Sequence, residues 1–242
     1  MHMHNKILII IIVILSLLII KKHIEKQDIK EKPSENWVIC VNNQNKNIKK
    51  IYADLSLRSF IFDKKGYACY EKQENFRMSV PGKLEVGSDQ KVIWFWSDSM
   101  VPKSLYFCDK EKIKQSRLKK IFYPNNLLCL FCVQKLPLEK ALFSSDSIEI
   151  REVEDGIEKV TIINNNGISE YLFYENNILI LDIKIINYQK VENFNIPKEI
   201  YIKWILEEIS LNITLKNVKI NNFRFEDWSM PNYKSKVDLS TY

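Results

Sequence analysis

The chain has 242 residues, of which 46% are hydrophobic and 27% are charged, a composition typical of one large β domain or two small globular ones. The net charge of +6 comes mainly from lysines spread singly along the chain, and no block of five like charges occurs, which argues against nucleic-acid binding. All three histidines (His2, His4 and His23) precede the predicted folded body, which excludes Ser-His-Asp, Cys-His and His-ligated metal sites from it.

An apolar run at residues 7–20 is broken only by Ser16 and flanked by lysines. As a helix it would be about 21 Å long, shorter than the roughly 30 Å hydrocarbon core of a bilayer, although the flanking lysines can extend toward the headgroups. We expect residues 1–22 to be an uncleaved transmembrane anchor. A secretory signal peptide is the alternative, but neither a small-residue cleavage site nor a lipoprotein-type cysteine follows the run.

Residues 23–36 are charged, contain Pro33 and are typical of a flexible linker to a domain at residues 37–242. Lys21, Lys22 and Lys26 favour a cytoplasmic location for this side of the anchor. That topology conflicts with the periplasmic location that we favour below.

The first half of the domain alternates in the way that half-buried strands do. After one or two helical turns at "WVICVNNQ", the segment "IKKIYADLSLRSFIF" places apolar residues at every second position. Turn chemistry at Lys65-Gly66, Pro81-Gly82 and Gly87-Ser88 divides the region into strands of five to eight residues. Two helices are expected next, at residues 109–120 on the surface and at 124–133 in the core.

From about residue 147 onward, short alternating strands follow one another at a spacing of about ten residues. Turns are predicted at Asp155-Gly156, Asn166-Gly167, Asn176-Asn177 and Pro197. The alternation changes phase near Lys216-Asn217, which indicates a bulge or a hairpin there. The pattern predicts an antiparallel meander that curls into a barrel or half-barrel.

The spacing of Cys129 and Cys132 is that of redox and zinc motifs. Their neighbours are apolar and no second pair exists, so two buried structural cysteines explain the motif better. A redox enzyme would require one of these thiols to be exposed with a lowered pKa. We therefore predict no enzymatic activity, no cofactor and no metal.

The run "VIWFW" (residues 92–96) is apolar on both faces of a strand, so both faces should be covered. Trp94 and Trp96 would share one face, and Ile93 and Phe95 the other. The run is either a core strand or part of the wall of a pocket for a hydrophobic ligand.

The motifs "FRMSV", "LEVGSDQKVIWFW" and "LYFC", with "NIPKEIYIKWILEEISLNITLKNVKINN" and "FEDWSMPNY" in the second half, resemble the LolA/LolB superfamily of bacterial lipoprotein carriers and receptors, in particular its LolB-like lipoprotein-type members. The resemblance spans about residues 37 to 240. It implies a mainly β fold, in which a curled antiparallel sheet forms an unclosed half-barrel with helices on its concave side and acyl chains bind between them. The chain departs from these members because it has no lipobox cysteine and no clear equivalent of the apolar delivery loop of LolB.

The resemblance implies a membrane-anchored domain that faces the periplasm of a diderm bacterium and binds or transfers lipid or lipoprotein acyl chains without catalysis. Other envelope proteins are expected as further partners, besides the membrane itself through residues 7–20. A structural or interaction scaffold of the envelope with a filled core is the alternative. The predicted apolar wall of the lipid site consists of Leu55, Leu57, Phe76, Met78, Trp94, Trp96, Ile200, Ile202, Trp204, Leu211 and Ile213.

Overall fold

A computed structural model describes residues 33–59, 63–72, 75–89, 91–98, 101–112, 129–154, 156–206 and 208–240. Among them are one α-helix and fourteen strands, with short 3-10 turns at Cys129–Phe131 and Leu138–Lys140. The elements are α1 (Glu35–Asn47), β1 (Lys50–Arg58), β2 (Asp63–Glu71), β3 (Asn75–Val80), β4 (Leu84–Ser88), β5 (Val92–Ser97), β6 (Leu105–Asp109), β7 (Ala141–Phe143), β8 (Ile148–Glu154), β9 (Ile157–Asn164), β10 (Gly167–Glu175), β11 (Ile178–Val191), β12 (Phe194–Trp204), β13 (Ile209–Ile220) and β14 (Lys236–Asp238).

All fourteen strands belong to one sheet, in the order β14-β6-β5-β4-β3-β2-β1-β13-β12-β11-β10-β9-β8-β7. Two antiparallel meanders, β1 to β6 and β7 to β13, are joined where β1 pairs with β13. Only β14, which is parallel to β6, departs from the antiparallel pattern. Since β7 and β14 end the strand order without pairing with each other among the described residues, the sheet is unclosed. The mainly β, unclosed antiparallel sheet predicted from the sequence is confirmed.

The face of the sheet that carries the hydrophobic core is here named the concave face. In β1 every second residue from Ile51 to Leu57 is buried, as the alternation predicted. Buried residues of β10 to β13, among them Tyr171, Ile200 and Ile213, extend the same core across the second meander. Helix α1 and the segment 129–136 pack on this face, so the core is enclosed between the sheet and these covering segments.

Helix α1 is longer than the one or two turns predicted, and amide side chains attach it to the rest of the domain. The side chain of Asn42 donates to the carbonyl of Leu136 and accepts from its backbone N–H, at 2.8 and 2.7 Å. Gln44 makes the same reciprocal pair with the backbone of Asn195, at 2.8 Å in both directions. Each side-chain amide thus satisfies both backbone polar groups of one residue, as a neighbouring strand would.

Three predicted turn positions lie inside strands instead. Gly66 is within β2, where an added Cβ would lie 2.0 Å from the backbone oxygen of Ser79, so the close approach of β3 requires a glycine. Gly87 is within β4 and serves a similar steric role beside β5. Pro197 is within β12, at an irregularity in the register between β11 and β12, where a strand tolerates the missing N–H.

The remaining local predictions have mixed outcomes. The turn at Pro81-Gly82 is confirmed, and so is the bulge near Asn217, which has φ 48° where the register of β1 and β13 shifts. Asp109 ends β6 and a turn follows it, so the predicted helix does not begin there, and residues 113–128 lie outside the described residues. Of the predicted helix at 124–133 the structure describes residues 129–133, in which Cys129–Phe131 form a 3-10 turn.

The outer face of the first meander is covered by the C-terminal tail, residues 223–240. Successive tail side chains contact successive strands: Phe223 lies against Tyr52 and Phe225 against Tyr67, with ring centroids 6.1 and 5.8 Å apart. Tyr233 then packs on Trp96 at 5.3 Å, before β14 joins β6 at the sheet edge. The tail is therefore a second layer over β1 to β6.

Within the described residues no helix combines the length and the apolar character that crossing a membrane needs. The anchor predicted at residues 1–22 and most of the linker lie outside the part of the chain that the structure describes.

Candidate functional site

The eleven residues of the predicted apolar wall lie on two different faces of the sheet. Opposed residues of an antiparallel pair share a face. Phe95 is opposite Val86, which is opposite Met78, so these three side chains share the concave face. Trp94 is opposite Gly87, which is opposite Arg77, so Trp94 belongs to the outer face together with Trp96.

Trp94 and Trp96 therefore do not lie on the same face as the other nine residues. The prediction that all eleven residues form one wall is corrected in this respect. The sequence analysis predicted that "VIWFW" is covered on both faces and placed Trp94 and Trp96 in the same wall as the other nine residues. Ile93 and Phe95 face inward, whereas Trp96 contacts the C-terminal tail and Trp94 is fully buried. Period-two alternation shows which residues share a face but not which face a later layer covers.

The other nine wall residues do share the concave face. Seven are buried in the core and two, Trp204 and Leu211, are partly buried against it. The buried seven are Leu55, Leu57, Phe76, Met78, Ile200, Ile202 and Ile213. They pack against one another and the covering segments, and their role in lipid binding remains a prediction.

A cavity of about 580 Å³ opens elsewhere on the concave side, between α1 and the turn that joins β9 to β10. Its volume is in the range of small-molecule sites. None of the eleven predicted residues lines it. The lining consists of Ser34, Asn36, Trp37, Cys40, Val41, Gln44, Cys132, Asn164, Asn165, Asn166, Gly167, Ile168, Tyr188 and Asn195.

The apolar part of this lining comes from both sides of the cavity. Trp37 and Val41 are partly buried on α1 and pack against the core, and Ile168 is buried at the start of β10. Tyr188 donates from its hydroxyl to the carbonyl of Ile168 at 2.5 Å, and this bond holds its ring in place. Burial raises the pKa of Tyr188 far above its ordinary value, so the hydroxyl stays neutral.

The polar part of the lining is a group of carboxamides. The turn between β9 and β10 contributes Asn164, Asn165 and Asn166, while Asn36 and Gln44 come from α1 and Asn195 from the start of β12. Asn164 is used locally, since its side chain accepts the backbone N–H of Asn166 at 2.9 Å. None of the fourteen described lining residues carries a formal charge.

Sequence analysis missed this site for an identifiable reason. Asn166 was interpreted only as part of the turn Asn166-Gly167, and Asn164 and Asn165 were not singled out. Trp37 and Val41 were assigned to a short helix, with no indication of what that helix faces. The concentration of neutral amides in one turn was the available signal, but pairing it with α1, more than a hundred residues away, requires the tertiary fold.

Cys129 and Cys132 do not meet the conditions for a redox site. Both are buried, and no cysteine of the chain forms a disulfide. Burial raises the pKa of Cys129 from 9.0 to about 12 and that of Cys132 to about 11, so both thiols are protonated at neutral pH. Cys40 is the exposed cysteine, and it lies on the cavity wall.

Comparison of the sequence with protein-family models and with curated proteins finds no match. Solved structures are similar in fold. A domain provisionally named as an outer membrane lipoprotein-sorting protein, from Vibrio parahaemolyticus, is 9% identical with a TM-score of 0.48, and the alignment covers 79% of this chain and 94% of that one. A LolA superfamily protein from Nitrosomonas europaea is 9% identical with a TM-score of 0.47, covering 77% and 94%.

A DUF1329 family protein from Desulfovibrio piger is 10% identical, with a TM-score of 0.43 and coverage of 78% of this chain and 92% of that one. At these TM-scores and identities the similarities carry no information about a ligand or an activity. The solved structures similar to this chain thus include one LolA superfamily protein, and the LolA/LolB superfamily is the one that the sequence resembles.

Proposed function

We propose that this domain binds, and either holds or transfers, lipid or lipoprotein acyl chains in the bacterial cell envelope, without catalysis. The cavity between α1 and the β9–β10 turn carries the proposal, since it joins apolar side chains to uncharged polar groups in a space suited to a small ligand. In this proposal residues 1–22 anchor the chain in a membrane, and the domain faces the periplasm. The assignment of the domain to the LolB-like, lipoprotein-type members is part of the same proposal.

The nine concave-face residues enter the proposal as a second, deeper contact surface. They are packed beneath α1 and the segment 129–136. An acyl chain longer than the cavity would reach them if α1 moved away from the sheet. Each buried methylene would contribute about 0.8 kcal/mol to binding.

The test is lipid analysis of the purified full-length chain and two tryptophan variants of α1. Cys40→Trp places a large ring in the cavity, whereas Ile39→Trp makes the same kind of change at the neighbouring exposed position, which does not line the cavity. Each protein is extracted with organic solvent, and the extract is analysed by mass spectrometry. We expect acyl lipid with the wild type and Ile39→Trp, and a loss of most of it with Cys40→Trp.

Equal lipid content in all three proteins would show that the ligand lies outside this cavity. Absence of lipid from all three, together with no uptake of a fluorescent acyl probe, would contradict the proposal. Because circular dichroism and thermal unfolding of the variants are recorded in parallel, a misfolded variant is recognised before its lipid content is interpreted.

A second candidate function is an envelope scaffold, and one observation favours it. The predicted wall residues form a filled core rather than an open pocket, with seven of the eleven buried on the concave face. A protein that keeps this fold only as an interaction platform would have this interior. Such a scaffold would carry no lipid in the assay above and would be captured with a partner protein after cross-linking in cells.

A further inference from the structure

The lining of the cavity restricts the chemistry of the ligand's polar group. An ionised carboxylate or phosphate moved out of water needs a cation or several donors, and an unpaired charge in such a place is costly. The fourteen residues of the lining that the structure describes include no Lys, Arg or His. Carboxamides such as Asn165 and Asn166 both donate and accept, which suits ester or amide carbonyls and hydroxyls.

One feature of the site favours an anionic polar group on the ligand over an uncharged one. The cavity mouth includes Ser34 and Asn36 at the start of α1, and a helix N-terminus carries a partial positive charge. The side chain of Ser34 makes no cap hydrogen bond, and its carbonyl accepts the N–H of Trp37 at 3.0 Å, so this cap leaves the N–H groups of Glu35 and Asn36 for a ligand. Glu35, however, already places a negative charge in that turn, which offsets the dipole and repels an anionic group.

The geometry points to an acyl ligand with an uncharged polar group, such as the ester and hydroxyl groups of an acylglycerol, rather than a free fatty acid or an anionic phospholipid. This inference rests on the proposed function and specifies its ligand class. Trp37, Val41 and Ile168 would contact the acyl chain, while the carboxamides and the first turn of α1 would bind the carbonyl and hydroxyl groups.

The native thiol of Cys40 provides the readout, because it is exposed and lies on the cavity wall. The full-length chain, held in an amphipathic polymer, is treated with an aromatic disulfide reagent, and the rate of modification is measured against ligand concentration. The probes are 1-monooleoylglycerol and oleate, which share one acyl chain. We expect monooleoylglycerol to protect the thiol at a concentration at least about tenfold lower than oleate, since the described lining offers the carboxylate no cation and Glu35 repels it.

A charge placed at the mouth should reverse this preference. Asn166→Lys lies in the exposed turn and replaces a carboxamide with a cation, so it should improve oleate affinity by about tenfold and weaken the binding of monooleoylglycerol. Asn43→Lys adds the same charge on α1 outside the lining and should change neither. Asn165→Lys repeats the test if the first variant fails to fold.

The possible results separate the inference from the function beneath it. Oleate binding as tightly as monooleoylglycerol in the wild type, or no gain for oleate in either lysine variant, overturns the inference but leaves lipid binding intact. No protection by either probe overturns the proposed function as well. A diacylglyceryl-cysteine peptide in the same assay distinguishes a lipoprotein from a free glyceride as the source of the ligand. Both ligands have an uncharged polar group, so tighter binding of either one supports the inference.

Discussion

The indole ring of Trp94 lies directly against the backbone of Gly87, its partner across β4 and β5. A Cβ added at Gly87 would be 2.3 Å from Cζ2 of the indole, far inside contact distance. The glycine in "LEVGS" and the tryptophan in "VIWFW" therefore form one packing unit on the outer face.

Gly87→Ala should destabilise the domain because neither the indole nor the strand can move without disturbing buried neighbours. We expect the free energy of unfolding to fall by about 1–3 kcal/mol, as in other overpacked interiors. Urea denaturation measures the change. In a Trp94→Leu background, where the ring is gone, the same substitution should cost less than half as much; an equal cost in both backgrounds would refute steric coupling between the pair.

The ion pair between Arg77 and Glu85 gives a second prediction. Both side chains are buried on the outer face, with Nε and Oε1 2.6 Å apart, and Arg77 also contacts Asp227 of the C-terminal tail at 2.6 Å. Burial lowers the pKa of Arg77, but Glu85, together with Tyr67 and Asp227, more than compensates and holds it above its ordinary value. Arg77→Met leaves the carboxylate of Glu85 buried without its partner, so we expect a loss of about 3–5 kcal/mol.

A double variant, Arg77→Met with Glu85→Leu, is the control for this pair. Removing both charges together should recover most of the lost stability in chemical denaturation. Limited proteolysis of the tail should detect earlier cleavage in Arg77→Met than in the wild type. A single variant as stable as the wild type would mean that the pair contributes nothing.

The attachment of α1 gives a third prediction. Gln44→Ala removes both hydrogen bonds to the backbone of Asn195, each worth about 1 kcal/mol. We expect faster hydrogen exchange of the α1 amides and a small loss of global stability. Asn43→Ala, at an exposed position of the same helix, is the matched control and should leave exchange unchanged. Identical exchange in the two variants would show that the amide pair does not hold the helix.

Because two thiols are buried, we expect the stability of the domain to fall at alkaline pH. The pKa of Cys129 is about 12 in the folded domain and that of Cys132 is about 11, both raised from 9.0 by burial. Above pH 9 the unfolded chain releases these protons while the folded chain keeps them, so the free energy of unfolding should fall as pH rises from there toward the folded values. Each thiol contributes at most about 1.4 kcal/mol per pH unit.

Urea midpoints recorded between about pH 8 and about pH 10.5 test this slope. A Cys129→Ala variant should show a shallower decline than the wild type, whatever its stability at neutral pH. Equal slopes would contradict the assignment. At about pH 8 one thiol, Cys40, should react rapidly with an aromatic disulfide reagent in the folded protein, and the remaining four only after unfolding.

Local patterns were sufficient for much of the fold. Alternation in β1 identified its buried face, the phase slip at Asn217 located a bulge, and strand spacing predicted an antiparallel meander. These features depend on contacts between near neighbours in sequence, or on side-chain periods of two, which the residue order contains directly.

Glycines and prolines were less reliable guides. Gly66 and Gly87 were taken for turn residues, yet both lie inside strands, because each makes room for a group from an adjacent strand. A glycine in the sequence shows that a position has no side chain. It does not show whether the backbone conformation or a close neighbouring atom requires glycine there.

By itself, the sequence determined the class of the fold, the alternating faces of the strands and the presence of an apolar N-terminal run. Only the tertiary structure decided which segment covers each face of the sheet. The C-terminal tail packs on Trp96, and α1 lies beside the carboxamides of the β9–β10 turn. The physical reason is that periodicity acts along the chain, whereas a cavity is formed by segments far apart in sequence whose packing depends on the whole core.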